Sequence, residues 1–289
     1  MKQVGVDQLS RARGMTVLPK RTPSQTYNHV SNLPVSKTVP WILQRFIEGE
    51  EYTTHAVVIN GKVKLFAACP STGLLMHYQL EPPTSGINKA MLNFTQQFAQ
   101  RAGPGFTGHF SCDLMVEEKV SETGVQKTIY PIECNPRAHT AVVLFSGLKG
   151  SQDIVRAYLT ALEPPLVNGT DSDGITPVSK KQHSSENDFI GFPQSNVPYY
   201  WISYDLVALV LCPALQLVTR EITIRQLIQG LTTFLNHVIF WKDGFFEVWD
   251  PLPWWWLHHI YWPSQFLLSL RTGKRWSSIN MSTNKAWES

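Results

Sequence analysis

Charge is scarce in this sequence. Charged residues make up 16% of 289 positions and the formal net charge is +3, which gives no electrostatic case for nucleic-acid binding. Cysteine is sparse too: Cys69, Cys112, Cys134 and Cys212 are scattered without C-x-x-C spacing. Three of them sit in apolar strand or helix contexts, where free thiols are usual, so the pattern favours a reducing, cytoplasmic setting over a disulfide framework. The first thirteen residues lack an apolar core, so they are not read as a secretory signal. The Asn-x-Ser/Thr triplets at Asn93, Asn168 and Asn280 then carry no meaning for glycosylation. No H-E-x-x-H, G-x-S-x-G or Walker-type glycine loop occurs. Zincin, serine-hydrolase and P-loop chemistries therefore have no local signature.

Apolar residues make up 43% of the chain, enough for a sizeable core in one or two domains. Residues 1–40 are polar and broken by Pro19, Pro23, Pro34 and Pro40, which predicts an irregular segment. Trp41–Ile47 is β-prone, and an acidic turn, Glu48-Gly49-Glu50-Glu51, follows it. Tyr52–Ile59 and Lys62–Cys69 flank Asn60-Gly61, a hairpin signal because both turn positions tolerate positive φ. A loop opening at Pro70 leads to His77, read either as solvated or as facing a substrate. Gly86–Ala102 carries an apolar helical stripe, with Ser85 as N-cap and Gly103-Pro104 as the stop. Gly108–Val116 reads as a strand, Ser121–Gly124 as a polar turn, and Gly150–Leu162 as a second helix.

Beyond these, residues 163–198 read as a flexible linker or insertion, because Asn168–Asp188 is too polar to offset its ordering entropy. Tyr199–Val218 is apolar enough to raise a membrane span, but Asp205 and Pro213 interrupt it and favour a core helix. Thr223–Val238 has helical spacing, and Asp243-Gly244 predicts a short hairpin. Trp254, Trp255, Trp256 and Trp262 crowd the last segment. Such density suits either packing against the main domain or a membrane interface, with Arg271, Lys274 and Arg275 nearby.

Chemistry concentrates in Ile129–Phe145, I-Y-P-I-E-C-N-P-R-A-H-T-A-V-V-L-F. Tyr130, Ile132 and Cys134 alternate with Pro131, Glu133 and Asn135, the period of a strand that Pro136 terminates. Glu133 and Asn135 then point the same way, roughly 7 Å apart by strand rise. A carboxylate beside a carboxamide offers hard oxygen atoms, which suit Mg²⁺ better than Zn²⁺ or copper. With Asp113 on a neighbouring strand, three oxygen ligands would face metals that hold nucleotide phosphates. Arg137 adds a planar cation suited to phosphate. A polar strand end facing water is the competing reading.

The Asp…Glu-x-Asn-Pro-Arg arrangement resembles the metal-binding strands of ATP-grasp ligases. The longer string E-C-N-P-R-A-H-T-A-V is similar to the subgroup that forms mycosporine-glycine, over most of residues 15–289. The resemblance implies an α+β fold in which antiparallel sheets and packed helices hold ATP and Mg²⁺. A carboxylate or enolate oxygen would be activated as a phosphate ester and attacked by an amine. It further implies that Asp113, Glu133 and Asn135 hold Mg²⁺. Adenine would lie on the main chain near Arg45, Phe46 and Ile47, with Gln44 as a further contact and Glu51 on the ribose. Arg137 would contact phosphate, while His77, His139 and Thr140 would face the acceptor.

Family members carry a preceding domain, a glycine-rich loop and a phosphate-contacting lysine. No such loop is visible here, and Lys20 or Arg21 reads either as a substitute or as a solvated base. The expected organisation is an irregular remnant of the first subdomain (1–40), a nucleotide- and metal-binding core (41–162), the linker (163–198) and a helical, tryptophan-rich extension (199–289). The expected partners are a small acceptor molecule and an amino acid. The alternative function is a catalytically inactive, truncated remnant that binds nucleotide or another protein.

Overall fold

The computed structural model describes residues 2–3, 16–72, 75–121, 124–162, 189–194, 196–273, 277–280 and 285–288. Asn60 and Gly61 take left-handed φ values of 52° and 76°. They join β1 (Glu50–Ile59) to β2 (Lys62–Pro70) in the hairpin that the Asn-Gly pair predicts. β3 (Gly108–Ser121) runs beside β1, and β4 (Gly124–Asn135) beside β3. The order β2-β1-β3-β4 is antiparallel throughout, so the chain is of the α+β class. β3 runs on past the expected Val116 to Ser121, because its ladder with β4 continues through Glu117↔Thr128 to Ser121↔Gly124.

Alternation along the strands divides the core between two faces. On one, Tyr52, Ala56, Val58, Phe110, Cys112, Leu114 and Val116 pack with Met91 and Ala99. Those two residues belong to the helix Gly86–Ala102. Ser85 caps that helix by accepting the Asn88 N–H, and Gly103 ends it at φ 89°, as the sequence pattern predicts. On the other face, Val57, Ile59, Leu65, Ala67 and Cys69 pack with Leu144, Phe145 and Ala157. The latter come from a 3₁₀ turn, Thr140–Phe145, and the helix Gly147–Leu159. Each large side chain buried on either face, such as Phe66 on the first or Phe145 on the second, stabilises the fold by about 1.5–3 kcal/mol.

Several sequence expectations change. The proline-broken start contains a helix, Pro23–Ser31, because Thr22 caps it through the Gln25 N–H and Pro23 fits the first turn. The β-prone run 41–47 pairs only at Trp41–Ile42, against Lys2–Gln3. The helix expected from Gly150 begins at Gly147 and tightens to 3₁₀ geometry over Thr160–Leu162.

The hairpin expected at Asp243-Gly244 does not form. Asp243 accepts N–H groups from Ile202, Phe245 and Phe246, and Lys242–Asp243 pairs in parallel with Tyr199–Tyr200. Much of 163–198 lies outside the described residues. Gly191, however, exchanges backbone hydrogen bonds with Lys64 and Phe66 on the β2 edge.

Between residues 202 and 272 the described chain is mainly helical. Residues 202–218 form a run whose middle, Leu206–Leu211, widens into π geometry, and the helix Ile224–Phe240 packs against it. Thr223 and Gln226 form a reciprocal capping box at the start of that second helix. Trp254 and Trp262 are half-buried, whereas Trp249, Trp255 and Trp256 are exposed. Among the described residues, no helix is long and apolar enough to cross a membrane.

Candidate functional site

Thr53, Asp113 and Glu133 lie directly opposite one another across β1, β3 and β4, forming one row on the face that carries the 3₁₀ turn. A bulge after Asp113 leaves Ile132 unpaired between Pro131 and Glu133 and sets the register that puts Glu133 in this row. Asn135 is two positions further along and faces the same way. Its amide nitrogen is 3.4 Å from Asp113 Oδ2, so the three candidate metal ligands share one surface. Asp113 is half-buried and Glu133 is exposed on the outer strand.

The chain turns back over this face immediately after β4. His139 Nδ1 accepts the Ala141 N–H and caps the 3₁₀ turn. The remaining ring proton therefore belongs on Nε2, which lies 3.3 Å from Thr53 Oγ1. Thr53 in turn donates to Asp113 Oδ1 at 2.8 Å. His139, Thr53 and Asp113 thus form a directed chain of hydrogen bonds that fixes the carboxylate.

Burial pushes the Asp113 carboxyl up from its ordinary value, with the Thr53 hydroxyl and Arg137 acting in the opposite direction. The same burial, with Arg137 nearby, holds His139 down at about 4. Beneath it, the fully buried His55 accepts the His139 backbone N–H on Nδ1 at 3.2 Å. Burial, reinforced by the neighbouring His109 and His139, keeps His55 at about 3. Tyr78 packs edge-on to His139 with ring centroids 5.6 Å apart, and its phenol is hydrogen-bonded to Thr140.

The remaining candidates divide into two groups. Glu51 is half-buried on the same face, one row from Thr53, opposite Met115 and then Tyr130. Gln44, Arg45 and Phe46 are exposed and Ile47 is half-buried, in an irregular run leading to β1. Arg45 is anchored to this sheet: Nη2 is 2.5 Å from Glu117 Oε1, and Nη1 donates to the Tyr130 hydroxyl at 3.1 Å. Arg137 is exposed beside the row of candidate metal ligands and donates to the Ala138 carbonyl at 3.3 Å. His77 joins a different network. It is buried against Asp205 rather than hydrogen-bonded into the Asp113 group.

Thr53, His55 and Tyr78 escaped the sequence reading. For Thr53 and His55 the signal was present: both occupy the odd-numbered face of β1 with Glu51, amid otherwise apolar positions. No protein-family model matches the chain, and no curated protein matches it, so the functional assignment rests on these residues and their geometry.

Proposed function

We propose that the chain is an ATP-dependent ligase of the ATP-grasp type, joining an amine to an acceptor whose carboxylate or enolate oxygen is first phosphorylated. One observation carries this reading. Asp113, Glu133 and Asn135 converge on one sheet face as a set of hard oxygen donors, with Arg137 beside them. That donor chemistry fits Mg²⁺, and the half-buried Asp113 carboxylate is held in place by Thr53 and, among the described residues, is paired with no lysine. Bound MgATP would supply the transferable phosphoryl group and the charge that stabilises its transfer.

Each side chain then has a specific task. Asp113 and Glu133 provide negative charge on the metal, and Asn135 provides a neutral oxygen. Arg137 offers a planar cation to phosphate oxygens. Glu51 takes the ribose hydroxyls, and the Gln44–Ile47 run receives adenine. His139, kept neutral by burial, and Thr140 border the acceptor side. His77 is left out of this scheme, because its ring is committed to Asp205.

ADP release from MgATP, with candidate amino acids and cyclic acceptors, tests the proposal. Turnover no higher than that of a Glu133→Ala control would reject it.

A second reading, a non-catalytic module that binds nucleotide or another protein, has its own support. The helices after residue 202 leave Leu215, Val218, Ile224 and Ile228 exposed, side chains that suit contact with another apolar surface. Calorimetry separates the two: MgADP binding that Glu51→Ala abolishes, without any turnover, favours the module.

A further inference from the structure

We propose that His77, Asp205 and His237 form a second metal site, selective for a first-row divalent ion of the Zn²⁺ type and independent of the ligase reading. Asp205 is fully buried, and its two carboxylate oxygens are claimed separately. Oδ1 is 2.7 Å from His77 Nε2, and Oδ2 is 2.5 Å from His237 Nδ1. The three ligand atoms all lie within 4.8 Å of one another. They come from three separate parts of the fold: the stretch after β2, the helical run 202–218 and the helix Ile224–Phe240.

The surroundings favour a positive charge at this point. The imidazole rings of His77 and His237 are 4.8 Å apart at 80°, and Trp241 packs on both, at 5.0 Å and 4.2 Å. Tyr200 closes another side, 6.1 Å from His237. A carboxylate enclosed by aromatic rings loses its hydration, and the two imidazoles that face it replace only part of it. A divalent cation between the three groups supplies the missing charge.

Two imidazole nitrogens and one oxygen suit Zn²⁺ and disfavour Mg²⁺, which prefers an all-oxygen shell. With bonds of about 2.0–2.1 Å, tetrahedral ligands sit roughly 3.3 Å apart, so side-chain shifts of about 1 Å complete the site. A fourth position stays open for water or a small ligand. The helix also departs from regular geometry here, since the π stretch Leu206–Leu211 begins at the residue after Asp205. Such widened turns recur where a helix presents a functional side chain.

Metal titration tests the site. The full chain, stripped with a chelator, is titrated with Zn²⁺ against a chromophoric competitor and with Co²⁺ monitored by its visible d–d bands. The expected result is one tight Zn²⁺ per chain, intense low-coordination Co²⁺ bands, and no competition from excess Mg²⁺. His77→Gln and His237→Gln should each weaken binding by more than about 100-fold, beyond the usual cost of losing an outer-shell partner. A His258→Gln/His259→Gln control and Glu133→Ala should bind as wild type does.

Wild type that takes up no Zn²⁺ overturns the proposal, an outcome that does not depend on any variant folding. So does unchanged binding in His77→Gln and His237→Gln. Loss of binding in the His258→Gln/His259→Gln control instead places the metal at the tryptophan-rich end and equally overturns the assignment. None of these outcomes bears on ADP release.

Discussion

Thr53 donates its hydroxyl to Asp113 across two neighbouring strands at 2.8 Å, while His139 Nε2 stands 3.3 Å behind it. The Asp113 carboxylate therefore reaches the sheet surface already oriented, with one oxygen held by Thr53 and the other near Asn135. Orientation of this kind lowers the entropy lost when the carboxylate engages a cation.

Replacing Thr53 with Val removes that link while conserving shape. The Thr53 hydroxyl holds the Asp113 carboxyl down, so its loss should raise that group further. The acid limb of the pH–rate profile for ADP release should move to higher pH. Stability should fall by about 1 kcal/mol, the usual net contribution of one hydrogen bond, as read by urea melts.

The candidate metal ligands should not be equivalent. Glu133→Gln removes a full charge and should abolish turnover at any Mg²⁺ concentration. Asn135→Asp keeps an oxygen and adds charge, so activity should survive with an altered Mg²⁺ dependence. Asp113→Asn should fall between the two. Equal losses in all three variants, together with lowered circular-dichroism melts, would point to misfolding of the β3–β4 pair instead.

His55 and His139 make the protein acid-sensitive. Their folded-state values of about 3 and about 4 lie below the ordinary 6.5 of an unfolded histidine. Above pH 6.5 both states hold neutral rings, and no penalty exists. As pH falls below 6.5 the unfolded chain gains protons that the folded chain refuses, so stability declines until the folded values are reached. Between pH 6.5 and 5 each ring accounts for about 2 kcal/mol, at 1.36 kcal/mol per unit. Urea melts at the two pH values measure the loss, and His55→Leu should show roughly half of it.

Gly49 is a steric requirement. A Cβ there would lie 2.1 Å from the Val116 carbonyl oxygen, whereas at Gly105 it would meet nothing within 4 Å. Gly49→Ala should destabilise by about 1–3 kcal/mol through backbone displacement, and Gly105→Ala should change little. Thermal melts of the pair give a direct comparison.

What the sequence disclosed follows the range of the interactions. The Asn60-Gly61 hairpin, the Ser85 cap and the Gly103 stop are local, and short-range chemistry was enough to locate them. Glu133 and Asn135 could be assigned to one face because strand alternation is also local. The Thr53–Asp113 hydrogen bond joins residues 60 positions apart, and no periodicity encodes such a pairing. His77 was misleading for the same reason. Its position after a loop suggested solvent or substrate, yet its partner Asp205 belongs to a helix that the sequence presented as apolar. Asp243 failed as a turn signal because its carboxylate satisfies the amide at the start of that helix, a tertiary demand that overrides hairpin propensity.

The bonds at Asp205 also bear on the lifetime of the folded molecule. Asp205 meets His237 across 32 positions but meets His77 across 128. Two doublings of span add about 1.2 kcal/mol of loop-closure entropy, so the helix pair should assemble before it docks on the sheet. A bond that forms late scarcely alters the speed of folding, yet it must break before the helices can leave. His77→Gln should therefore quicken unfolding in stopped-flow denaturant jumps and leave refolding nearly untouched. By that account His77 and Asp205 act as a latch, setting how long the C-terminal helices stay on the sheet rather than how quickly they find it.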